Sequence, residues 1–184
     1  MLELKDGRYT LQGIPILDLV GDYGAPLYVY DAATIRAQYD RLRNAFTGLP
    51  VRIKYAAKAL TNPAVLKLLR TWGAGLDTVS IHEVEIGLGA GFAPGEIIFT
   101  PNGVSFEEIR AAVDRGVMVN LDNLSMLERF GHAYGGTVPC CVRLNPHILA
   151  GGNGSNHQSF WKLNRNILYA VHRNINLFAQ HCLF

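Results

Sequence analysis

The sequence predicts an α/β protein built as a partial (β/α)8 barrel, with about five of the eight strand–helix units. Strand-like runs end near five residues spaced 22, 20, 22 and 21 apart, namely Lys58, Ser80, Thr100, Asp122 and Arg143. Helix-start signals follow the runs. Residues 97–99 and 140–142 are continuous apolar stretches, as expected of parallel strands covered on both faces. Units this short favour a barrel over a doubly wound sheet.

The first part of the chain predicts short strands and turns over residues 1–30, including a strand over residues 27–30 that follows Gly24-Ala25-Pro26. Asp31 is suited to cap a helix. Spacings of three and four residues place four apolar side chains of that helix on one face, namely Ile35, Tyr39, Leu42 and Phe46.

Helix-start signals mark the repeated units. Asn62 precedes Pro63, which fits an N-cap with proline at the first helical position, and Gly73 is placed to end that helix. Three Ser-x-x-Glu patterns fit the capping box, at residues 80–83, 105–108 and 125–128. The regular alternation of strand and helix rests on these signals.

The last 34 residues differ in composition from the rest. Residues 151–184 contain no Asp or Glu and carry a charge of +3, whereas residues 1–150 carry −1. A basic amphipathic helix is one interpretation. We prefer a tail not selected to fold with the barrel, such as out-of-frame or prematurely terminated coding sequence, which reading the gene in its other frames would test. The sequence thus predicts an N-terminal strand segment (1–30), a partial barrel (31–150) and a divergent tail (151–184).

Composition excludes several classes of function. A net charge of +2 over 184 residues gives no reason to expect nucleic acid or an anionic membrane as a partner. No apolar run approaches the roughly 18 residues of a spanning helix, and the N-terminus lacks the features of a signal peptide. Three cysteines, two of them adjacent, argue for a reducing compartment, and we expect the cytoplasm. No histidine and cysteine spacing predicts a metal site.

Lys58 is the strongest candidate for chemistry. It stands at the exit of a predicted buried strand, where α/β folds keep their active sites. Desolvation of an amine there lowers its pKa and lets it form a Schiff base. Small neighbours leave room for a planar cofactor, namely Ala56, Ala57 and Ala59. Lys54 is a rival on the same face, but at strand rise it lies roughly 13 Å lower, at the floor of the barrel.

Four segments resemble the group 2 pyridoxal-phosphate-dependent decarboxylases, which act on diaminopimelate, ornithine and arginine. The resemblance covers about residues 20–153 and is densest in residues 23–31, the Lys58 segment, residues 73–80 and residues 143–146. It is strongest to the members that act on diaminopimelate and make lysine. It implies an alanine-racemase-like barrel with a separate β-domain, pyridoxal 5′-phosphate as cofactor, and homodimers with shared active sites.

The resemblance also implies roles for matching residues. Lys58 matches the Schiff-base lysine, Asp77 a cofactor-side aspartate, and Arg143 an arginine that contacts the cofactor. Glu83 matches a supporting glutamate, although it also belongs to a predicted capping box, and the two interpretations can coexist. The late glycine-rich phosphate loops and the β-domain cysteine and tyrosine find no match.

Because those parts find no match, we expect the 184 residues by themselves to be inactive or nearly so, while retaining the ancestry of a decarboxylase. One alternative is a small pyridoxal-phosphate-binding barrel protein that carries the cofactor without decarboxylating. Another is a noncatalytic partner of a full-length decarboxylase.

Overall fold

The fold comes from a computed structural model, which describes residues 2–143. The predicted tail over residues 151–184 lies outside the described residues. The chain divides into two compact units, residues 1–53 and residues 54–184. The predicted boundaries after residues 30 and 150 stay predictions. None of the described helices has the length and apolar character needed to cross a membrane.

The first unit contains a small antiparallel sheet and two helices. The sheet has the order β1-β2-β3, and two-residue turns with positive φ at Asp6-Gly7 and Gln12-Gly13 join its strands. Its elements are β1 (Leu2–Lys5), β2 (Arg8–Leu11), β3 (Ile14–Pro15), α1 (Ile16–Tyr23) and α2 (Ala32–Ala45).

The prediction for residues 1–30 was partly wrong. Residues 16–23 form a helix instead of strands and turns. Ile16, Leu19 and Val20 repeat at three- and four-residue spacing and are half-buried, which is the helical pattern. The strand predicted over residues 27–30 does not form within the described part of the chain.

The prediction for α2 is confirmed at its start. Asp31 accepts a hydrogen bond from the amide of Thr34 at 3.1 Å, so it caps the helix. Of the predicted apolar face, Tyr39 is buried, whereas Leu42 is 48% exposed.

The second unit confirms the α/β fold with five parallel strands in the order β4-β5-β6-β7-β8. This sequential order, with helices between the strands, is that of one arc of a (β/α) barrel. Each strand ends within two residues of its predicted end. The strands are β4 (Lys54–Ala56), β5 (Gly75–Thr78), β6 (Ile97–Phe99), β7 (Met118–Leu121) and β8 (Cys140–Val142); the helices are α3 (Pro63–Thr71), α4 (Ile81–Gly89), α5 (Phe106–Asp114) and α6 (Leu124–Tyr134).

Alternation along the strands separates two faces of this sheet. One face packs on the helices: a Cβ on Gly87 of α4 would lie 2.5 Å from Leu76 and 3.2 Å from Ile97. The strand residues in this apolar core are Leu76, Ile97, Phe99, Val119, Leu121 and Cys140. Residues of the opposite parity form the other face, which we call the inner face. Those in the strands and just beyond their ends are Lys54, Ala56, Gly75, Asp77, Ile98, Thr100, Met118, Asn120, Cys141 and Arg143.

Within the second unit, three of the predicted helix N-caps are confirmed and one was wrong. Asn62, Ser80 and Ser105 each accept a hydrogen bond from an amide in the first turn of their helix. The capping box predicted at residues 125–128 does not form, because α6 begins at Leu124. Asn123 caps it instead and accepts a hydrogen bond from the amide of Met126 at 2.8 Å.

Candidate active site

The carboxyl ends of the five parallel strands carry the candidate site. Lys58 follows β4, Asp77 lies near the end of β5, Thr100 follows β6 and Arg143 follows β8. In parallel sheets these ends meet at one edge, which is where folds of this class bind their ligands. Asp77, Thr100 and Arg143 have inner-face parity, so the strand order and the pleat together bring them to one side of the sheet.

Lys58 occupies a short 3-10 turn over Ala57–Ala59, immediately after β4. Ala57 is fully buried and anchors this turn in the core, whereas Lys58 is exposed. The desolvation expected of Lys58 is therefore not provided by the described residues. The position at the strand exit agrees with the prediction, and the amine is open to an incoming ligand.

Asp77 is the carboxylate of the candidate site whose pKa is shifted by its surroundings. Burial raises the pKa of Asp77 above its usual value, and a hydrogen bond from Thr100 partly offsets this effect. The positive charges of Lys58, Lys54 and Arg143 also lower the pKa of Asp77, though less than burial raises it. Oδ1 of Asp77 is buried and finds no hydrogen-bond partner among residues 2–143. A buried acceptor in this state is suited to a donor from a ligand or water.

Glu83 faces the turn between β5 and α4. Its carboxylate accepts a hydrogen bond from the amide of Val79 at 2.8 Å, and its own amide donates to Ser80 Oγ at 3.2 Å. Ser80 therefore caps α4 as predicted, but the reciprocal half of the capping box does not form, because Glu83 accepts from the amide of Val79 and not from that of Ser80. The role of Glu83 as a supporting glutamate stays a prediction.

Arg143 is half-buried at the end of β8. Its amide donates to the carbonyl of Leu121 at 2.8 Å, which extends the pairing of β7 and β8 by one residue. The structure thus brings Arg143 and Lys58 into electrostatic range of Asp77.

Lys54 is the first residue of β4 and lies on the inner face. Because β4 ends at Ala56 and Lys58 lies in the turn that follows, the separation of the two lysines expected from strand rise stays a prediction. Its Nζ donates to the carbonyl oxygen of Glu96 at 2.8 Å. The side chain of Lys54 passes Gly75, since a Cβ built on that glycine would lie 3.0 Å from Lys54 Cγ. The amine of Lys54 is therefore committed to the backbone near the start of β6.

Two inner-face residues were not predicted as site residues. Thr100 donates to Asp77, and its position at the end of the third strand-like run was the available signal. Asn120 is 6% exposed, and its Oδ1 finds no hydrogen-bond partner within the described residues. The signal for Asn120 in the sequence is that it is the one polar residue of an otherwise apolar strand, β7.

Among the described residues, the buried cysteine Cys140 is structural in character. Cys140 and Cys141 form no disulfide, and no group of three potential metal ligands occurs in the described part of the chain. Burial raises the pKa of the Cys140 thiol to about 11, and proximity to Cys141 adds to this effect. Cys140 is consequently a core residue with little thiolate at neutral pH.

Comparison with known proteins agrees with this geometry. Residues 32–159 match the family described as "Pyridoxal-dependent decarboxylase, pyridoxal binding domain". Diaminopimelate decarboxylase of Methanothermobacter thermautotrophicus is 39% identical over 153 residues, covering 82% of this chain and 36% of that protein.

Two solved structures give the same result. Diaminopimelate decarboxylase of M. jannaschii, in complex with L-lysine, superposes with a TM-score of 0.72 at 30% identity, over 80% of this chain and 36% of the other. Lysine/ornithine decarboxylase of Vibrio vulnificus, in complex with cadaverine, gives a TM-score of 0.65 at 35% identity, over 74% of this chain and 37% of the other.

This chain therefore spans little more than a third of the length of these relatives. All three are amino-acid decarboxylases by name, which does not favour the alternative of a small cofactor-carrying barrel protein. The match to the pyridoxal binding domain covers residues 32–159, which is more than half of this chain. This chain therefore belongs to the pyridoxal-dependent decarboxylases.

Proposed function

We propose that this chain binds pyridoxal 5′-phosphate at Lys58 and contributes to the decarboxylation of meso-diaminopimelate to L-lysine. One observation carries the proposal. An accessible lysine and a half-buried carboxylate, whose buried Oδ1 has no hydrogen-bond partner among the described residues, stand at the ends of adjacent parallel strands, β4 and β5. The family membership of residues 32–159 supports the same cofactor.

The residues present fit pyridoxal phosphate. Lys58 offers an exposed primary amine for the aldehyde, and the small side chains of Ala56 and Ala59 leave space beside it. Asp77 Oδ1 is a buried acceptor suited to a donor of the ligand. Arg143 supplies a positive charge suited to an anionic oxygen of the cofactor.

When bound, pyridoxal phosphate supplies an electron sink for the bond-breaking step. The chain's own residues hold and orient this group. Lys58 fixes its position at the rim of the sheet, and Asp77 and Arg143 present opposite charges on the inner face. The hydroxyl of Thr100 favours the charged form of the Asp77 carboxylate. Such preorganised charges stabilise charge that develops during a reaction.

Diaminopimelate is the substrate we propose, ahead of ornithine or arginine. Two of these relatives are named diaminopimelate decarboxylase, and one of them was solved with L-lysine, the product of that reaction. The Vibrio vulnificus relative is named for lysine and ornithine instead. Release of carbon dioxide from each amino acid, with pyridoxal phosphate added, measures this preference directly. No release from any of them by the 184-residue chain would agree with the inactivity expected from the sequence.

We also propose homodimers in the cytoplasm. Three large side chains of the first unit are 77%, 74% and 86% exposed, namely Leu17, Tyr23 and Tyr28, and apolar surface of this kind is suited to cover by a second chain. The thiols of the adjacent Cys140 and Cys141, which form no disulfide, support a reducing compartment. Sedimentation of the purified chain tests the dimer.

The cofactor proposal is tested by borohydride reduction of the purified chain with pyridoxal phosphate, followed by intact mass and peptide mapping. We expect one stable adduct at Lys58, and none in a Lys58→Arg variant. Lys67, exposed on α3, is the internal control for adventitious labelling. Adducts scattered over Lys54, Lys67 and other lysines, or no adduct, would contradict the proposal.

A further inference from the structure

The side chain of Lys54 forms a strap across three strands on the inner face. It starts on β4, crosses β5 at Gly75 and ends in a 2.8 Å hydrogen bond from Nζ to the carbonyl oxygen of Glu96, immediately before β6. A Cβ on Gly75 would lie 3.0 Å from Lys54 Cγ and 3.3 Å from Nζ. The absence of a side chain at Gly75 is therefore what lets the lysine cross.

This strap lies directly below Asp77. Gly75 and Asp77 are two residues apart on β5, so they share the inner face and stand about 7 Å apart along the strand. The amine beside Gly75 is therefore one pleat below the carboxylate. Because its end is hydrogen-bonded to a backbone carbonyl, the position of this charge is fixed by the sheet and does not depend on a flexible side chain.

The surroundings of Asp77 show why a fixed cation is useful there. Burial opposes ionisation of the carboxylate and raises its pKa. Three cations oppose this effect from three elements: Lys58 in the turn after β4, Lys54 on β4, and Arg143 after β8. Thr100 adds a hydrogen bond after β6, and the carboxylate of Glu83 on α4 is turned to the amide of Val79. A lysine must give up its proton before its nitrogen can attack an aldehyde, so Lys58 cannot serve as a fixed ammonium cation while it reacts.

We propose that Lys54 is a positioning residue: its fixed positive charge below Asp77 favours the ionised carboxylate. Lys58 is then not needed as the cation for Asp77 and can give up its proton to react with the cofactor. The two lysines thus have different roles. Lys54 is held by the Glu96 carbonyl and supplies a charge at a fixed position, whereas Lys58 stands exposed at the strand exit and supplies the amine. The use of this arrangement rests on the proposed function, but the charge relation itself does not require the cofactor.

The first test uses the full chain without pyridoxal phosphate. Carbon-13 NMR follows the titration of the Asp77 carboxyl group in wild type and in Lys54→Met, Lys54→Arg and Lys67→Met variants. We expect a higher pKa of Asp77 in Lys54→Met, which removes the charge. We expect a pKa close to that of wild type in Lys54→Arg, which keeps the charge, and in Lys67→Met, which alters an exposed helix position. An unchanged Asp77 titration in Lys54→Met would overturn the proposal.

A reciprocal measurement covers the case in which Lys54→Met does not fold. In Asp77→Asn the Lys54 side chain is intact, and carbon-13 NMR of its ε-carbon reports its protonation. Because linkage between two charges is mutual, Lys54 should lose its proton at lower pH in Asp77→Asn than in wild type. Equal titration of Lys54 in both proteins would overturn the proposal.

The second test adds the cofactor. Lys54→Met should weaken adduct formation at Lys58 on the order of tenfold, as expected for loss of one nearby charge, while Lys54→Arg should stay close to wild type. Equal labelling in all three would contradict the positioning role. If wild type itself forms no adduct at Lys58, the proposed function fails, and the two titrations still decide whether Lys54 controls Asp77.

Discussion

Gly75 and the carbonyl of Glu96 approach so closely that a Cβ on Gly75 would lie 2.6 Å from the Glu96 oxygen. That oxygen belongs to the backbone at the start of β6, so it cannot move aside as the end of a flexible side chain does. It is also the acceptor for Lys54. One glycine therefore maintains both the β5–β6 spacing and the path of the lysine.

We expect Gly75→Ala to destabilise the second unit by about 1–3 kcal/mol, the usual cost of overpacking a well-packed site. Urea denaturation measures this change. Gly131→Ala is the matched control, because Gly131 lies within α6 and a Cβ there meets nothing within 4 Å. It should instead stabilise by about 0.5–1 kcal/mol through helix propensity. A Gly75→Ala protein as stable as wild type would contradict the close approach.

The shifted pKa of Asp77 makes the stability of the folded chain fall as pH rises. Its pKa is raised by burial above the ordinary value of 3.8, so the folded state holds the proton more tightly than the unfolded state. Ionisation of Asp77 therefore costs stability as pH rises from 3.8 through the raised value. We expect Asp77→Asn to be more stable than wild type at neutral pH, with a difference that shrinks as the solution is made acidic enough to protonate Asp77 in both states.

Urea denaturation of both proteins across this pH range measures the effect. Gly131→Ala changes no titratable group, so its difference from wild type should stay constant with pH. If Asp77→Asn is less stable than wild type at neutral pH and approaches it in acid, the direction assigned to Asp77 is wrong.

The sequence was sufficient for the strand–helix repeat because each unit carries its own local signals. Asn62, Ser80 and Ser105 all act within four residues of the helix they start, so their caps can be read without tertiary information. The site depends on longer distances. Lys54 and Glu96 are 42 residues apart, and their contact exists only because β4, β5 and β6 align in register.

The misjudged elements also have physical reasons. At α6 two good capping residues compete, and the serine that completes a Ser-x-x-Glu pattern lies two residues after the asparagine that caps. In the first unit, α1 follows Pro15 and contains Gly21. Proline and glycine both favour turns, which hides the helical spacing of the apolar residues. In both places, local signals of similar strength favour two different structures, so only tertiary packing decides where the helix begins.

The competition at α6 gives a direct test. We expect Asn123→Ala to destabilise by about 1 kcal/mol, because the amide of Met126 loses its acceptor. Ser125→Ala should cost less than half as much, since its hydroxyl only donates to Asn123 Oδ1, at 2.8 Å. Urea denaturation compares the two variants at one pH. Equal costs would indicate that the serine contributes to capping after all.

Glu83 allows the capping role and the cofactor role to be separated. Replacement by glutamine keeps an oxygen for the Val79 amide, whereas alanine removes it. We expect Glu83→Ala to cost about 1 kcal/mol in urea denaturation and Glu83→Gln a few tenths. If Glu83 only caps α4, adduct formation at Lys58 with pyridoxal phosphate should be unchanged in Glu83→Gln. A severalfold weaker adduct in this stable variant would show that the negative charge of Glu83 acts on the cofactor, because the hydrogen bond to Val79 is retained. Glu85→Gln, on the exposed side of the same helix, is the control for loss of a negative charge from α4.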